Sequence, residues 1–236
     1  MAGVPGSRMT LPERFVYLLD VDNTLLDNDC IEADLKDHLE RTYGSENRAG
    51  YWAAFEALRA ELGYADYLGA LQRYRLGELK DPRLLLMSSF LMDYPFAERL
   101  YPGALAVIHH LRASGLTVIL SDGDVVFQPR KVQRSGLWDA VEGRVLIYIH
   151  KEKMLDDVVR RYPGEHYVMV DDKLRILGAM KEVLGNRLTT VFARQGHYAL
   201  DPGIVSAFPA ADFMVERIEE MLSHDPAASL GTRRKQ

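Results

Sequence analysis

The apolar run Phe15-Val16-Tyr17-Leu18-Leu19 ends at once in Asp20-Val21-Asp22-Asn23-Thr24, and this junction constrains the chain more than any other feature. Five consecutive apolar residues read as a strand buried on both faces, the habit of a parallel sheet. Two carboxylates one residue apart would project to opposite faces if that strand continued. The polar Asn-Thr step predicts instead that the chain leaves the sheet here and turns both acids toward one crevice. Open α/β sheets keep their chemistry outside the carboxyl ends of their strands. An ordinary Asp-rich turn is the alternative, and the pentapeptide alone leaves both open.

The rest of the chain supplies the sheet. From Tyr43 through Ala106 there is no Val, Ile or Thr, while Leu, Ala, Glu and Arg abound. β-branched residues favour strands and long unbranched ones favour helices, so this stretch is expected to be all-helical. Tyr51, Phe55, Leu58 and Leu62 recur at helical spacing, as do Leu68, Leu71 and Tyr74. Leu84 to Leu91 adds a stripe after the break at Asp81-Pro82, and Pro102-Gly103 marks the return to the main body.

Beyond that return, helices and strands alternate. Strands are expected at Thr117 to Leu120, Val145 to Ile149, Tyr167 to Val170 and Leu188 to Ala193. Helices are expected at Leu105 to Leu111, Val126 to Arg134, through Met154 to Val159, through Leu174 to Met180, and at Ile218 to Leu222. The alternation predicts an α/β fold with a doubly wound parallel sheet. The helical block inserted after the first strand would then lie over the carboxyl ends as a lid. We expect a core domain of residues 1–27 and 99–225, a helical domain of 28–98, and a tail from 226 to 236; Met1 to Arg8 also reads as a poorly ordered end.

Composition narrows the class of function. A net charge of −5 gives no basic footprint for nucleic acid. No apolar run approaches membrane-spanning length and Met1 to Thr10 lacks the apolar stretch of a signal peptide. The single cysteine, Cys30, suits a reducing cytoplasm and has no nearby His to activate it. A small-molecule substrate is expected, with the chain working as a monomer or homodimer and without nucleic acid or membrane partners.

Four predicted strand ends carry polar groups that a bland sheet would not require: Asp20/Asp22, Ser121, the pair Lys151 and Lys153, and Asp171/Asp172. Each alone has a plain reading, as a turn residue, a solvated lysine or a helix cap. In a parallel sheet, however, these ends share one edge. Their order resembles the four motifs of the haloacid dehalogenase superfamily of phosphohydrolases, over nearly the whole chain. Asp20 to Thr24 matches its DxDxT motif and Ser121 its second motif. The stretch Ser121-Asp122-Gly123, Gln128, Lys131 and Ser135 to Leu137 is similar to the family's TNG…Q…K…GL pattern. Lys151, 21 positions before Asp172, fits the third motif with the spacing of the phosphoserine-phosphatase branch, and Asp171-Asp172 fits the fourth. The helical insert resembles the family's C1 cap. Two positions depart from the pattern: Asp122 stands where the family usually has Asn, and Ile176 where a further Asp is common.

The resemblance implies a fold of the family's Rossmann-like type and a Mg²⁺-dependent phosphatase. Asp20 would attack phosphorus and form an aspartyl-phosphate, and Asp22 would give the leaving oxygen its proton and then activate water. A carboxylate about 3 Å from a phosphate dianion is repelled by roughly 3 kcal/mol even in bulk water. A divalent cation and Lys151 would offset that repulsion. Asp20, the backbone carbonyl of Asp22 and Asp172 would be the metal ligands, with Asp171 behind or alternating with them. Ser121, Thr24, Asp122 and Gly123 would line the phosphate site, donating through hydroxyls and backbone N–H groups. A 2-haloacid dehalogenase or phosphomutase on the same scaffold, or a silent phosphate-binding module, are the other readings. Asp22 argues against the dehalogenase, because a halide leaves without a proton.

Lys151 and Lys153 lie two residues apart, about 200° around a helix, so only one can face the crevice. Lys151, directly after the third strand, is expected there and Lys153 in solvent. His150 adjoins Lys151 and is a candidate support for it. His109 and His110 read as solvated, the tyrosines Tyr51, Tyr64, Tyr67 and Tyr74 as packing, and Arg73 and Arg75 as a solvated face. Gln195-Gly196-His197 has no role legible in the sequence.

Overall fold

The computed structural model of the protein describes residues 13–78 and 82–224; both expected tails lie largely or wholly outside them. Strand β1 (Glu13–Leu19) is followed by helices α1 (Asn28–Tyr43), α2 (Ser45–Leu62), α3 (Tyr67–Glu78) and α4 (Met87–Asp93). The chain then alternates: α5 (Ala104–Leu111), β2 (Leu116–Asp122), α6 (Phe127–Arg134), α7 (Leu137–Ala140), β3 (Val145–Tyr148), α8 (Leu155–Arg161), β4 (Gly164–Asp171), α9 (Leu174–Leu184) and β5 (Leu188–Ala193). Two short helices, α10 (Gly196–Leu200) and α11 (Pro202–Val205), lead to a last strand, β6 (Phe213–Val215). The strands form one parallel sheet in the order β3-β2-β1-β4-β5-β6. The expected doubly wound α/β fold is therefore what the chain adopts.

Alternation along the strands divides the core between two faces. Phe15, Tyr17 and Leu19 of β1 join Val168 and Val170 of β4 on the face that also carries the apolar sides of α1 to α5. Val16 and Leu18 join Tyr167 and Met169 on the opposite face, under α8 and α9. Within the helical block, Ile31, Leu35 and Leu39 of α1 and Tyr51, Phe55 and Leu58 of α2 are buried at helical spacing. Helix α1 starts where the Asp27 side chain accepts the Cys30 N–H at 2.9 Å, an ordinary N-cap. Among the described residues no helix is long and apolar enough to cross a membrane.

Three local expectations are corrected. Lys151–Lys153 is a separate 3₁₀ turn, and α8 begins only at Leu155. Ile218–Leu222 is likewise 3₁₀. The sheet has a sixth strand, β6, whose three residues are too few to show a period in the sequence.

Candidate active site

Four strand ends meet at one edge, and the loop after β1 shows how. The Asp20 N–H bonds the Val170 carbonyl, the last step shared with β4, and then the chain turns. The Val21 carbonyl accepts the N–H groups of Thr24, Leu25 and Leu26, winding the loop into a tight knot. Asn23 sits in the left-handed region at φ 60°, a conformation that Asn tolerates better than most residues. Its side-chain carbonyl takes the N–H groups of Asn28 and Asp29. The knot delivers Asp20 and Asp22 to the same side of the sheet edge.

Asp20 is buried, and both of its oxygens have donors. The Thr24 hydroxyl donates to Oδ2 at 3.2 Å, and the Lys151 ammonium donates to Oδ1. Lys151 also donates to the Leu120 carbonyl at 3.2 Å and forms an ion pair of 2.7 Å with Asp171. Burial works against its charge, but Asp171, Asp20 and Asp122 more than compensate and hold its pKa above lysine's usual value. Lys153 is exposed, two residues on. A 3₁₀ turn separates residues two apart as effectively as a helix does, so only Lys151 reaches the carboxylates.

Asp22 is held by α6. Lys131 donates to its Oδ1 at 2.6 Å, and the Gln128 amide to its Oδ2 at 3.3 Å and to the Ser121 hydroxyl at 2.9 Å. Ser121 is buried and donates in turn to the Asp122 carbonyl. Asp122 directs its carboxylate to the Lys151 backbone N–H at 2.7 Å and so anchors the turn that carries the lysine. Burial is the main cause that raises its pKa to about 6, against the opposing pull of Lys151. The Gly123 N–H goes to the Tyr148 carbonyl. A side chain at Gly123 would collide with Gln128, at 2.6 Å from its Cβ. Thr24 and Asp122 thus brace the Asp20 carboxylate and the lysine turn, and Gly123 leaves the space that Gln128 fills.

The end of β4 is different. Asp171 accepts the Lys173 N–H at 2.8 Å besides pairing with Lys151. Asp172 is buried, and neither of its oxygens accepts a hydrogen bond. The Lys173 ammonium stands 3.9 Å from it, beyond hydrogen-bonding distance. Burial pushes the Asp172 carboxyl well above the usual range. Ligand oxygens of Asp20, Asp171 and Asp172 all lie within 4.8 Å of one another. Three clustered carboxylates, one without donors, match what a hard divalent cation takes as ligands.

A cavity of about 380 Å³ opens over this edge. Asp22, Asp122, Gly123 and Asp172 line it from the sheet, and Phe55, Arg59, Tyr64 and Tyr67 from the helical block. Asp20, Ser121, Lys151 and Asp171 are buried beside it. Of the residues set aside on sequence grounds, Tyr51 packs and donates to the Tyr67 carbonyl, whereas Tyr64 and Tyr67 face the cavity. Arg73 pairs with Glu61. His109 and His110 are exposed, and His150 lies against Gly63 at the end of α2.

Sequence reasoning missed the supports. Gln195 donates to the Thr24 carbonyl at 3.3 Å and accepts the Ile218 N–H. Gly196 approaches Asn23 so closely that a Cβ there would lie 2.4 Å away. His197 pairs with Asp29 at 2.6 Å, and Asp29 also accepts from Asn23. The unassigned Gln-Gly-His step is thus a buttress for the β1 loop. Asn23 was its one sequence signal, since Asn is enriched at left-handed positions.

Comparison with known proteins agrees with this geometry. The family of hydrolases described as haloacid dehalogenase-like matches residues 16–183. A solved haloacid dehalogenase-like hydrolase from Burkholderia xenovorans is 67% identical and superposes with a TM-score of 0.88, over 92% of this chain and 98% of that one. More distant structures share the fold. An L-2-haloacid dehalogenase from Xanthobacter autotrophicus is 20% identical, with a TM-score of 0.58 over 88% of this chain and 96% of its own. A HAD-hydrolase from Bacillus subtilis bound to magnesium is 18% identical, with a TM-score of 0.57 over 88% and 96%. No curated protein matches. The chain belongs to the haloacid dehalogenase-like hydrolases.

Proposed function

We propose that the protein hydrolyses a small phosphate monoester with Mg²⁺ as cofactor, through an aspartyl-phosphate on Asp20. The observation that carries this reading is Asp172, a buried carboxylate without a donor, clustered with Asp20 and Asp171. Ionising a buried carboxylate that accepts no hydrogen bond, with the Lys173 ammonium 3.9 Å away, is costly, so such a group calls for a cation. Asp20, Asp172 and the Asp22 backbone carbonyl would hold Mg²⁺, with Asp171 beside them. When bound, the ion would supply positive charge to the phosphoryl oxygens and to the carboxylates that face them.

The chain's own groups carry the remaining steps. Thr24 and Lys151 fix the Asp20 carboxylate, leaving a lone pair of one oxygen to attack phosphorus. The bond from phosphorus to the ester oxygen breaks as the bond to Asp20 forms, and Asp22 gives that oxygen a proton. Asp22 then takes a proton from water, which attacks phosphorus and restores Asp20. Lys151 offsets the negative charge that gathers between Asp20 and the phosphoryl group. The cavity of about 380 Å³ leaves room for a leaving group beyond the phosphoryl itself, against the aromatic side chains of Phe55, Tyr64 and Tyr67.

The test is hydrolysis of p-nitrophenyl phosphate. Turnover with Mg²⁺ that disappears with excess chelator and returns on adding the ion supports the reading. Equal turnover in chelator overturns the metal assignment. Halide release from a 2-haloacid, with no phosphate released from any ester, would establish a dehalogenase instead.

A further inference from the structure

Lys131 stands out among the buried groups because the chemistry just described does not use it. Its side chain is 1% exposed, yet its ammonium meets one carboxylate, Asp22 at 2.6 Å, which is 25% exposed. The remaining contacts are the Asn28 side-chain carbonyl at 2.9 Å and the face of Phe127, 5.1 Å from the ring centroid. Gln128 lies one turn earlier on the same face of α6 and reaches the other oxygen of Asp22 while holding Ser121. A methionine and a leucine would fill the same space without the cost of burying an ammonium and an amide.

We propose that Lys131 and Gln128 are positioning residues that aim the Asp22 carboxyl at the leaving-group oxygen. The proposal rests on the reading of Asp22 as the group that protonates that oxygen. Asp22 emerges from a loop whose backbone is fixed but whose side chain borders an open cavity. Two donors from one rigid helix face, one on each oxygen, set its torsions; Lys131 does so without contact to Ser121, whereas Gln128 holds Ser121 as well. Asn28, the first residue of α1, ties the Lys131 ammonium to the start of the helical block. The aim of Asp22 is thereby referred to the body that lines the far side of the cavity.

Aim matters only where the leaving oxygen needs its proton. The experiment compares kcat/KM for p-nitrophenyl, phenyl and benzyl phosphate, whose leaving oxygens are progressively more basic, in the parent protein and in Lys131→Met, Gln128→Met and Asp22→Asn, with Mg²⁺. The ratio kcat/KM reports events up to transfer of the phosphoryl group to Asp20, so hydrolysis of the intermediate does not mask the effect. Lys131→Met is expected to lower kcat/KM for benzyl phosphate on the order of tenfold or more, with little loss for p-nitrophenyl phosphate. Gln128→Met should show the same steepening more weakly, and Asp22→Asn more strongly.

Uniform loss across the three esters in both α6 variants, beside a steepened series in Asp22→Asn, overturns the positioning role and leaves Lys131 a structural residue. A series that stays unsteepened in Asp22→Asn shows instead that the reading of Asp22 has failed. Thermal melting of each variant identifies losses that come from unfolding, and Gln128→Met answers the question if Lys131→Met does not fold.

Discussion

Two strand ends in this protein carry an acidic pair, and the surrounding chain treats them in opposite ways. After β1, Asp20 and Asp22 each have a donor on both oxygens, from Thr24 and Lys151 and from Lys131 and Gln128. After β4, Asp171 accepts the Lys173 N–H on one oxygen and pairs with the Lys151 ammonium through the other, but Asp172 is buried with no donor on either oxygen. The first pair is fixed by the fold, as groups that must strike or deliver a proton at one point require. The second leaves one carboxylate without a donor, as the proposed cation site requires. A site of this kind is therefore recognised by which acid lacks a partner as much as by which acids cluster.

The largest effect should come from the lysine shared by the two pairs. Lys151→Ala is expected to lower kcat/KM by about 10²-fold or more, because Asp20 and Asp171 would then face each other without it. Lys153→Ala should leave the rate unchanged, and steady-state kinetics of both variants check this. A silent Lys151→Ala would show that neither acidic pair depends on the lysine between them.

Stability should then separate the acids themselves. Asp22→Asn leaves the buried Lys131 ammonium without its carboxylate and should destabilise the metal-free protein by about 3 kcal/mol. Asp172→Asn removes a buried carboxyl that has no donor and should raise metal-free stability by about 1 kcal/mol at a pH where Asp172 is ionised, while abolishing Mg²⁺ binding. Denaturant unfolding in chelator, with calorimetry of Mg²⁺ binding alongside, reads both signs. Loss of stability in both variants would mean that the two ends are not treated differently.

Proton uptake and release sharpen the same point. Because burial raises the Asp172 pKa, its contribution to metal-free stability is full below the ordinary carboxylate range and is lost as pH rises through the raised value. Mg²⁺ needs the ionised form, so its apparent affinity should weaken as pH falls, and binding should release protons. Calorimetry in buffers of different ionisation enthalpy measures that release.

The smallest effect concerns Asp122, whose pKa is raised to about 6, mainly by burial. Its contribution to stability is present below the unfolded value and lost as pH rises through about 6. Asp122→Asn keeps an acceptor for the Lys151 N–H and removes that loss. The melting temperature of the variant should match the parent near pH 4 and exceed it by a few degrees at pH 7. A constant difference across the range would remove burial as the cause.

Much of this was legible in the sequence, for a physical reason that also sets its limit. The apolar run Phe15 to Leu19 and the β-branched and aromatic stretch Leu188 to Ala193 are long enough to declare buried strands, and a parallel order then brings their ends together. β6 is three residues long and α10 and α11 five and four, below any readable period. Asp20, Ser121 and the acidic pair of β4 are at strand ends and Lys151 just beyond one, so topology and the order of the family's motifs together located them. The hold of Lys131 on Asp22, 109 positions apart, and that of Gln195 on Thr24, 171 positions apart, depend on side-chain reach across elements. No local pattern encodes that. The family resemblance ranks Asp172 before Asp171, but no local pattern shows that neither oxygen of Asp172 has a donor.

The proposed function depends most on Asp20 as the carrier of the phosphoryl group. Its most direct test is to mix the protein with Mg²⁺ and excess p-nitrophenyl phosphate, quench in acid within a turnover, digest, and weigh the peptide that contains Asp20. The expected result is an increase by the mass of one phosphoryl group on Asp20, absent in Asp20→Asn, which should also be inactive. Phosphate released catalytically with Asp20 never modified, or the phosphoryl group found on another residue, would contradict it.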